Sequence, residues 1–383
     1  MTTYQIAAIG GDGVGPDVVR EARRVLDTVG ARDGFEIEWL ELTAGGVAID
    51  LHGVALRPED LEAARGCDAV LLGAVGGPKW DDPDAKVRPE QALFALRGGL
   101  ELFANLRPVT VHPALLASSP VRRELLEGVD LLIVRELTSG VYFGRPSEQR
   151  ETPEGRVAVD TVWYSEAEIR RSVVLAFELA RERRRKVTSV DKANVMATSR
   201  LWRKIVEEVR ADFPDVVVNH QLVDSCAMLL IRQPAEFDVL VTENMFGDIL
   251  SDEAAVLAGS LGMLPSASLG DRRTEHGRFG LYEPIHGSAP TLAGRDVANP
   301  LGTILSAAML LRWSLGREDG AAAVEAAVSA ALADGVRTPD LMPPGGSTEG
   351  LRQVGTRGMA DAVLEALESG ARARNDAVAG GTR

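Results

Sequence analysis

At 383 residues, with 45% hydrophobic and 26% charged side chains, the chain is long enough for two globular domains and a large core. Its 56 acidic against 42 basic side chains leave a net charge of −14. That balance argues against nucleic acid or an anionic membrane as main partner, while a few arginines in one cleft can still bind a small anion. No apolar run is long enough to cross a bilayer, and no basic stretch followed by an apolar segment opens the chain, so neither targeting nor anchoring is expected. Cys67 and Cys226 are too few for a disulfide framework and lack metal-site spacing, which fits a reducing cytoplasm.

Residues 4–9 read as a strand and run into the glycine turn of "AAIGGDGVGP". Gly11 and Gly13 begin a G-x-G-x-x-G pattern, but its third glycine is replaced by Pro16, so the dinucleotide fingerprint fails. No Lys-Ser or Lys-Thr pair follows to make a phosphate loop. The stretch reads as a strand-to-helix turn, with Pro16 at the helix start, where its missing N–H costs little. Val18, Val19, Ala22, Val25, Leu26 and Val29 then fall on one helical stripe. A strand at "FEIEWL", a helix from Pro58 and a buried strand at "DAVLLGA" continue an α/β alternation.

Residues 140–163 break the rhythm with turn residues and short β-prone pieces, as an excursion or arm would. Ser165 and Glu168 make a capping box ahead of Ile169, Val173, Phe177 and Ala180. The strands "KVTSVD", "VVVNHQLV" and "FDVLVT" follow, each leading toward a helix. "NPLGTILSAAMLLRWSL" is apolar on most faces and reads as a helix buried in the core or in a subunit contact. There is no internal repeat. The small, polar, aperiodic stretch 369–383 reads as a mobile tail.

Three clusters carry chemistry. In "TENMFGDILSDEAA", Asp248 and Asp252 are four apart, which on a helix puts both carboxylates on one face. Such a pair is commonly a solvated helix face, yet this one lies among Phe246, Ile249 and Leu250 and follows an apolar strand. With Asp224 of "LVDSCAM" as a third oxygen donor, the set suits Mg²⁺ or Mn²⁺ better than zinc. Arg97, Arg107 and Arg135 form a second set. Any one of them reads first as a surface ion pair, but Arg107 and Arg135 each end an apolar strand-like run, and a dicarboxylate needs more than one planar guanidinium. Tyr142 and Lys192 would serve beside a metal as acid and base, or else as a packing tyrosine and an exposed lysine. The third cluster, "GLYEPIHGSAP" followed by "DVANP", offers a loop whose N–H groups could face an adenine or phosphate, flanked by His286 and Asn299. Alone it is a turn.

Taken together, "GDGVGPDV", "ELFANLRPV", "VRELTSGVYFG", "VDKANV", "ENMFGDILSDEA", "EPIHGSAP" and "ANPLGTILSAAMLLR" resemble the β-decarboxylating dehydrogenases of 2-hydroxy acids. This is the family of 3-isopropylmalate, isocitrate, homoisocitrate and tartrate dehydrogenases, and the likeness is greatest to its isopropylmalate branch. The resemblance implies a two-domain α/β fold with a mixed central sheet, distinct from the Rossmann arrangement. It implies a discontinuous nucleotide-side domain of 1–103 plus 259–383 and a metal- and dimer-side domain of 104–258, with an arm at about 140–163. Arg97, Arg107 and Arg135 would hold the substrate carboxylates. Asp224, Asp248 and Asp252 would hold Mg²⁺ or Mn²⁺, with Asp224 also touching the substrate. Lys192 would be the base and Tyr142 the acid. The nucleotide would lie against Glu283, His286, Gly287, Ser288, Ala289, Thr291 and Asn299, with Glu90 near the nicotinamide. Family members are homodimers with a shared site, so Lys192 and Asp224 would come from the second subunit. The reaction expected is oxidation of 3-isopropylmalate to 4-methyl-2-oxopentanoate with loss of CO₂ and reduction of NAD, a cytoplasmic step of leucine biosynthesis.

The chain departs from the family pattern at three places. Thr291 stands where NAD-using relatives carry an aspartate toward the adenosine ribose, and the basic residue and tyrosine of NADP-using relatives are missing too. NAD remains the expected cofactor and NADP is not excluded. Arg272, Arg273 and Arg278 either answer a 2′-phosphate or form a charged loop. Leu93 is followed by Phe94 in place of a leucine pair, which would reshape the pocket for the 3-substituent, although Leu93 argues against a third carboxylate. Ser139 replaces a glycine near Tyr142. The competing readings are a dehydrogenase of another 3-substituted malate, such as tartrate or homoisocitrate, and a non-catalytic paralogue. A metal-dependent hydrolase would leave "HGSAP" and the tyrosine and lysine unexplained.

Overall fold

The computed structural model describes residues 1–82 and 85–380, with side chains described through residue 370. Two compact units result: one from Met1–Glu101, His112–Pro120 and the chain from Ala258 onward, the other from Leu102–Val111 and Val121–Leu257.

The first unit opens with β1 (Thr2–Gly11), α1 (Gly15–Asp33), β2 (Phe35–Glu41), α2 (Gly46–His52), α3 (Pro58–Gly66), β3 (Ala69–Ala74) and α4 (Glu90–Gly99). The chain then builds the second unit from β4 (Leu102–Thr110), α5 (Arg123–Leu126), β5 (Asp130–Glu136), β6 (Ser147–Thr152), β7 (Gly155–Asp160), α6 (Glu166–Arg181), β8 (Lys186–Asp191), α7 (Ala197–Arg210), β9 (Val217–Leu222), α8 (Val223–Arg232), β10 (Val239–Thr242) and α9 (Asn244–Ala255). It returns to the first unit with β11 (Pro265–Arg273), β12 (Arg278–Pro284), α10 (Leu301–Trp313), α11 (Glu318–Ala333), β13 (Val336–Arg337), β14 (Arg352–Gln353) and α12 (Thr356–Gly380).

In the first unit the strands run β2-β1-β3-β12-β11, parallel except for the antiparallel β11–β12 pair. In the second they run β4-β5-β10-β8-β9, parallel except for β4–β5. Each is a mixed sheet, as the resemblance implied. Strands covered on both faces are largely apolar: every residue of β3 and of β10 is buried, with Thr242 the one polar side chain.

Local signals place the elements well. All six residues of the α1 stripe are buried, and Pro16 sits in the first turn of that helix. Ser165 and Glu168 close both bonds of the capping box on α6. The apolar helix α10 is a core element of the first unit, packed against β11, β12, α1 and α11. The arm is an antiparallel hairpin, β6 with β7, almost every residue of which is exposed. The stretch 369–383, read as a mobile tail, is helical as far as Gly380, a continuation of α12; residues 381–383 lie outside the described residues. Once packing starts a helix, alanine and arginine propagate it without any periodic apolar face.

The opening glycine turn serves protein contacts. Gly13 has φ 59°, and a Cβ there would meet the Ser288 carbonyl oxygen at 2.0 Å; the Val14 N–H donates to that same oxygen at 2.8 Å. The adjacent Asp12 is buried, and its carboxylate accepts from the N–H groups of Gly46, Val47 and Gly76 at 2.7, 2.8 and 2.8 Å. One side chain thus ties the start of α2 and the segment after β3 to the turn. Asp12→Ala strands those donors and is expected to destabilise the protein by about 3 kcal/mol. An unchanged urea midpoint would count against that role.

Candidate active site

In the second unit, β4 and β5 pair so that Asn105 faces Arg135 and Arg107 faces Ile133, which sets Asn105, Arg107 and Arg135 on one face of the sheet. The helix α9 packs on these two strands. Arg107 lies inside β4 and not at its end, and both guanidiniums are buried. Gly247 permits the close crossing, since a Cβ there would come within 2.7 Å of the Arg135 side chain.

Asp248 is the hub. It pairs with Arg135, lies 3.5 Å from the Arg107 guanidinium, and accepts the Tyr142 hydroxyl at 2.9 Å. The Tyr142 ring also stands 5.7 Å from the Arg135 guanidinium carbon. Asp252, one turn further along α9, is 3.6 Å from Arg107 and 63% exposed. Desolvation and the charge of Asp248 push its carboxyl up from the ordinary range, against the pull of Arg107. Burial, then Asp248, pushes the Tyr142 phenol up to about 12.

Lys192 immediately follows β8, with its N–H on the Ser199 hydroxyl at 3.0 Å. Its ammonium pairs with Asp224, in the first turn of α8, and holds that carboxyl below the usual range. The three aspartates are therefore divided, two on α9 and one on α8. Among the described residues, no group of three or more His, Cys, Asp or Glu side chains could hold a metal ion.

The remaining candidates lie in the first unit. Glu90 begins α4, followed by half-buried Leu93, exposed Phe94 and buried Arg97. Arg97 donates to Glu283, at the end of β12, at 2.9 Å, while its Nε is buried without a partner. In the loop after β12, His286 Nδ1 meets the Gly287 carbonyl at 2.9 Å, Nε2 is buried without a partner, and burial favours the neutral ring. Ser288 is buried and Ala289 has φ 38°. Asn299 accepts from the Leu301 N–H at 3.0 Å and donates to Asp340 at 3.1 Å.

Sequence reasoning missed Asp12, Asp340 and Arg295, whose guanidinium donates to the Thr291 carbonyl at 3.3 Å. Asp340 is 41 residues from Asn299, and nothing local marks it. The reading of Arg272, Arg273 and Arg278 as partners of a 2′-phosphate is corrected. They occupy the end of the β11–β12 hairpin where Arg273 pairs with Arg278, whereas the His286 loop leaves from Pro284 at the other end of β12. The six residue steps from Arg278 to Pro284 separate the two ends by roughly 20 Å.

The first class these features define is an α/β protein able to bind a small carboxylate-bearing molecule beside a phenol, with two carboxylates that a hard cation would suit. The model of the isocitrate/isopropylmalate dehydrogenase family matches residues 5–363, and the chain belongs to that family. It is 57% identical to the 3-isopropylmalate dehydrogenase of Anaeromyxobacter dehalogenans over 95% of this chain and 99% of that one. It is 55% identical to that of Moorella thermoacetica, over 96% of this chain and all of the other. Among solved structures, isocitrate dehydrogenase from Methylococcus capsulatus superposes with a TM-score of 0.82 at 33% identity, covering 95% of this chain and 99% of that one. The chain is accordingly an enzyme, a metal-dependent β-decarboxylating dehydrogenase.

In metal-free protein the Tyr142 proton is expected to persist past pH 11, because an ordinary phenol titrates near 10. The folded state holds that proton more tightly than the unfolded chain. The resulting stability is therefore complete below about pH 10 and is lost as pH rises toward about 12. A ¹³Cζ-tyrosine NMR titration reads this directly, and ionisation of Tyr142 near 10 would refute the combined effect of burial and Asp248.

Proposed function

We propose that this enzyme oxidatively decarboxylates 3-isopropylmalate to 4-methyl-2-oxopentanoate with NAD, in the cytoplasm, as a step of leucine biosynthesis. The observation that carries the reading is the pair of buried guanidiniums, Arg107 and Arg135, set against Asp248, Asp252 and Tyr142 in one unit. The high identity to named 3-isopropylmalate dehydrogenases supports the substrate. In this reading Arg107 and Arg135, with Arg97, bind the substrate carboxylates. Lys192, acting through water, accepts the proton of the 2-hydroxyl as hydride leaves carbon 2, and Tyr142 donates a proton to carbon 3 after CO₂ departs. The phenol of Tyr142 is protonated at neutral pH, the form such a donor needs.

The donor chemistry fits a divalent ion of the Mg²⁺ or Mn²⁺ type, since the neighbouring carboxylates of Asp248 and Asp252 carry charge that such an ion would relieve. Asp248, Asp252 and Asp224 would hold it, and when bound it polarises the 2-oxygen and stabilises the enolate. The unpartnered buried Nε2 of His286 fits a nucleotide, and that of Arg97, its Nε, fits a substrate carboxylate. The roles of Glu90, Glu283, His286, Gly287, Ser288, Ala289, Thr291 and Asn299 toward that nucleotide belong to the same proposal, as does the division into a nucleotide-side and a metal-side domain.

The site would be completed by a second copy, with Lys192 and Asp224 contributed in trans. Three features support a homodimer: the separation of the three aspartates, the exposed Met228 and Ile249 on α8 and α9, and a hairpin carrying exposed Val157 and Val159. A two-stranded hairpin is marginal without a partner. A second reading, a malate with another 3-substituent, is favoured by the exposed ring of Phe94 beside Leu93.

With Mg²⁺ and 3-isopropylmalate, the purified enzyme is expected to reduce NAD, and Lys192→Ala and Asp252→Asn each to lower kcat by about a hundredfold or more. Parallel assays with NADP test Thr291 and Arg295. Turnover absent with both nucleotides would overturn 3-isopropylmalate as substrate and direct the assay to tartrate, homoisocitrate and other 3-substituted malates.

A further inference from the structure

Behind Arg135 and Tyr142 lies a buried cluster of residues that the reaction does not touch. Glu243 is the N-cap of α9, its Oε1 accepting from the Phe246 N–H at 3.0 Å. Its Oε2 accepts from the Tyr164 hydroxyl at 3.1 Å, and the same phenolic oxygen accepts from the Asn244 N–H at 2.9 Å. Asn244 in turn takes the Arg135 Nε–H at 2.9 Å and donates to the Ser139 carbonyl at 3.0 Å. Ser139 also donates its hydroxyl to Glu168 and its N–H to Glu136 at 3.0 Å.

We propose that Tyr164 and Glu243 are positioning residues that fix Arg135 and Tyr142 for substrate. Three parts of the site converge on this pair. The first turn of α9, which leads to Asp248, is capped by Glu243. The Arg135 guanidinium is oriented through Asn244. The turn Gly140–Tyr142 closes directly on the pair, because Gly140, at φ 81°, brings its Cα so near that a Cβ would meet the Tyr164 hydroxyl at 2.5 Å and Glu243 Oε2 at 3.1 Å. The Tyr164 ring is itself held edge-on against Trp202, with centroids 5.9 Å apart. Ser139 gains its meaning here: its hydroxyl adds a bond that glycine lacks, fastening the Tyr142 turn to the capping-box acid of α6. Losing the Tyr164 hydroxyl removes its bond to Glu243 Oε2 and strands the Asn244 N–H at once, so the loop and the guanidinium shift together.

The inference rests on the roles proposed above for Arg135 and Tyr142, and the test separates the two. Tyr164→Phe is expected to raise KM for 3-isopropylmalate and lower kcat, each by about tenfold, while KM for NAD stays within about twofold. Glu243→Gln, which keeps the cap, is expected to retain more activity than Glu243→Ala. The second readout needs no turnover. The chain has four tyrosines, so the ¹³Cζ signal of Tyr142 is readily assigned, and it should move in folded Tyr164→Phe at neutral pH as the bond to Asp248 loosens. An unmoved Tyr142 signal, or equal increases in KM for substrate and nucleotide, would overturn the inference. Wild-type protein inert toward 3-isopropylmalate would overturn the substrate assignment and leave the NMR result to decide the positioning role.

Discussion

The second unit depends on burying two guanidiniums beneath one helix. Removing a charge from water costs several kcal/mol unless it is paired and its remaining hydrogen-bonding positions are filled. Arg107 and Arg135 meet that condition through Asn105, Ser251, Asn244 and Asp248, all on β4 or α9. The helix consequently cannot slide or rotate without stranding a cation. Gly247 is forced by the same constraint, since the Arg135 stem occupies the space a methyl group would need. In the proposed function, stability and substrate geometry are in this way the same set of contacts.

Features written within a few residues were readable from sequence. The Ser165 and Glu168 box spans three residues, Pro16 fixes the start of α1, and the spacing of Asp248 and Asp252 places them on one helical face. The contacts that organise the site were not readable, because their partners are remote in the chain. Asp12 reaches 34 and 64 residues to the N–H groups that donate to it, Tyr164 is 79 residues from Glu243, and Arg97 is 186 from Glu283. Arg272, Arg273 and Arg278 erred in the opposite sense: near the His286 loop in sequence, they are carried to the far end by an antiparallel strand.

The glycine turn shows how a local pattern can be right in form and different in use. Its glycines permit close approach and positive φ, as in a phosphate-binding turn. The atom that approaches is the Ser288 carbonyl oxygen, and the anion seated among nearby N–H groups is the carboxylate of Asp12. With the N–H groups of Asp12, Val14 and Gly15 engaged by the carbonyls of Ala74, Ser288 and Asp12, the turn shapes the His286 loop.

Charge balance connects these features to the proposed chemistry. Within one chain, the two positive charges of Arg107 and Arg135 meet the two negative charges of Asp248 and Asp252, and Lys192 meets Asp224. A dicarboxylate arriving alone would bring two negative charges beside Asp248 and Asp252, and a divalent cation alone would bring two positive charges beside two arginines. Arriving together they add no net charge, and each supplies what the other lacks: carboxylates for the guanidiniums, a cation for the aspartates. The protein therefore does not require a surplus of either sign at the site, which is how a chain of net charge −14 can hold an anionic substrate.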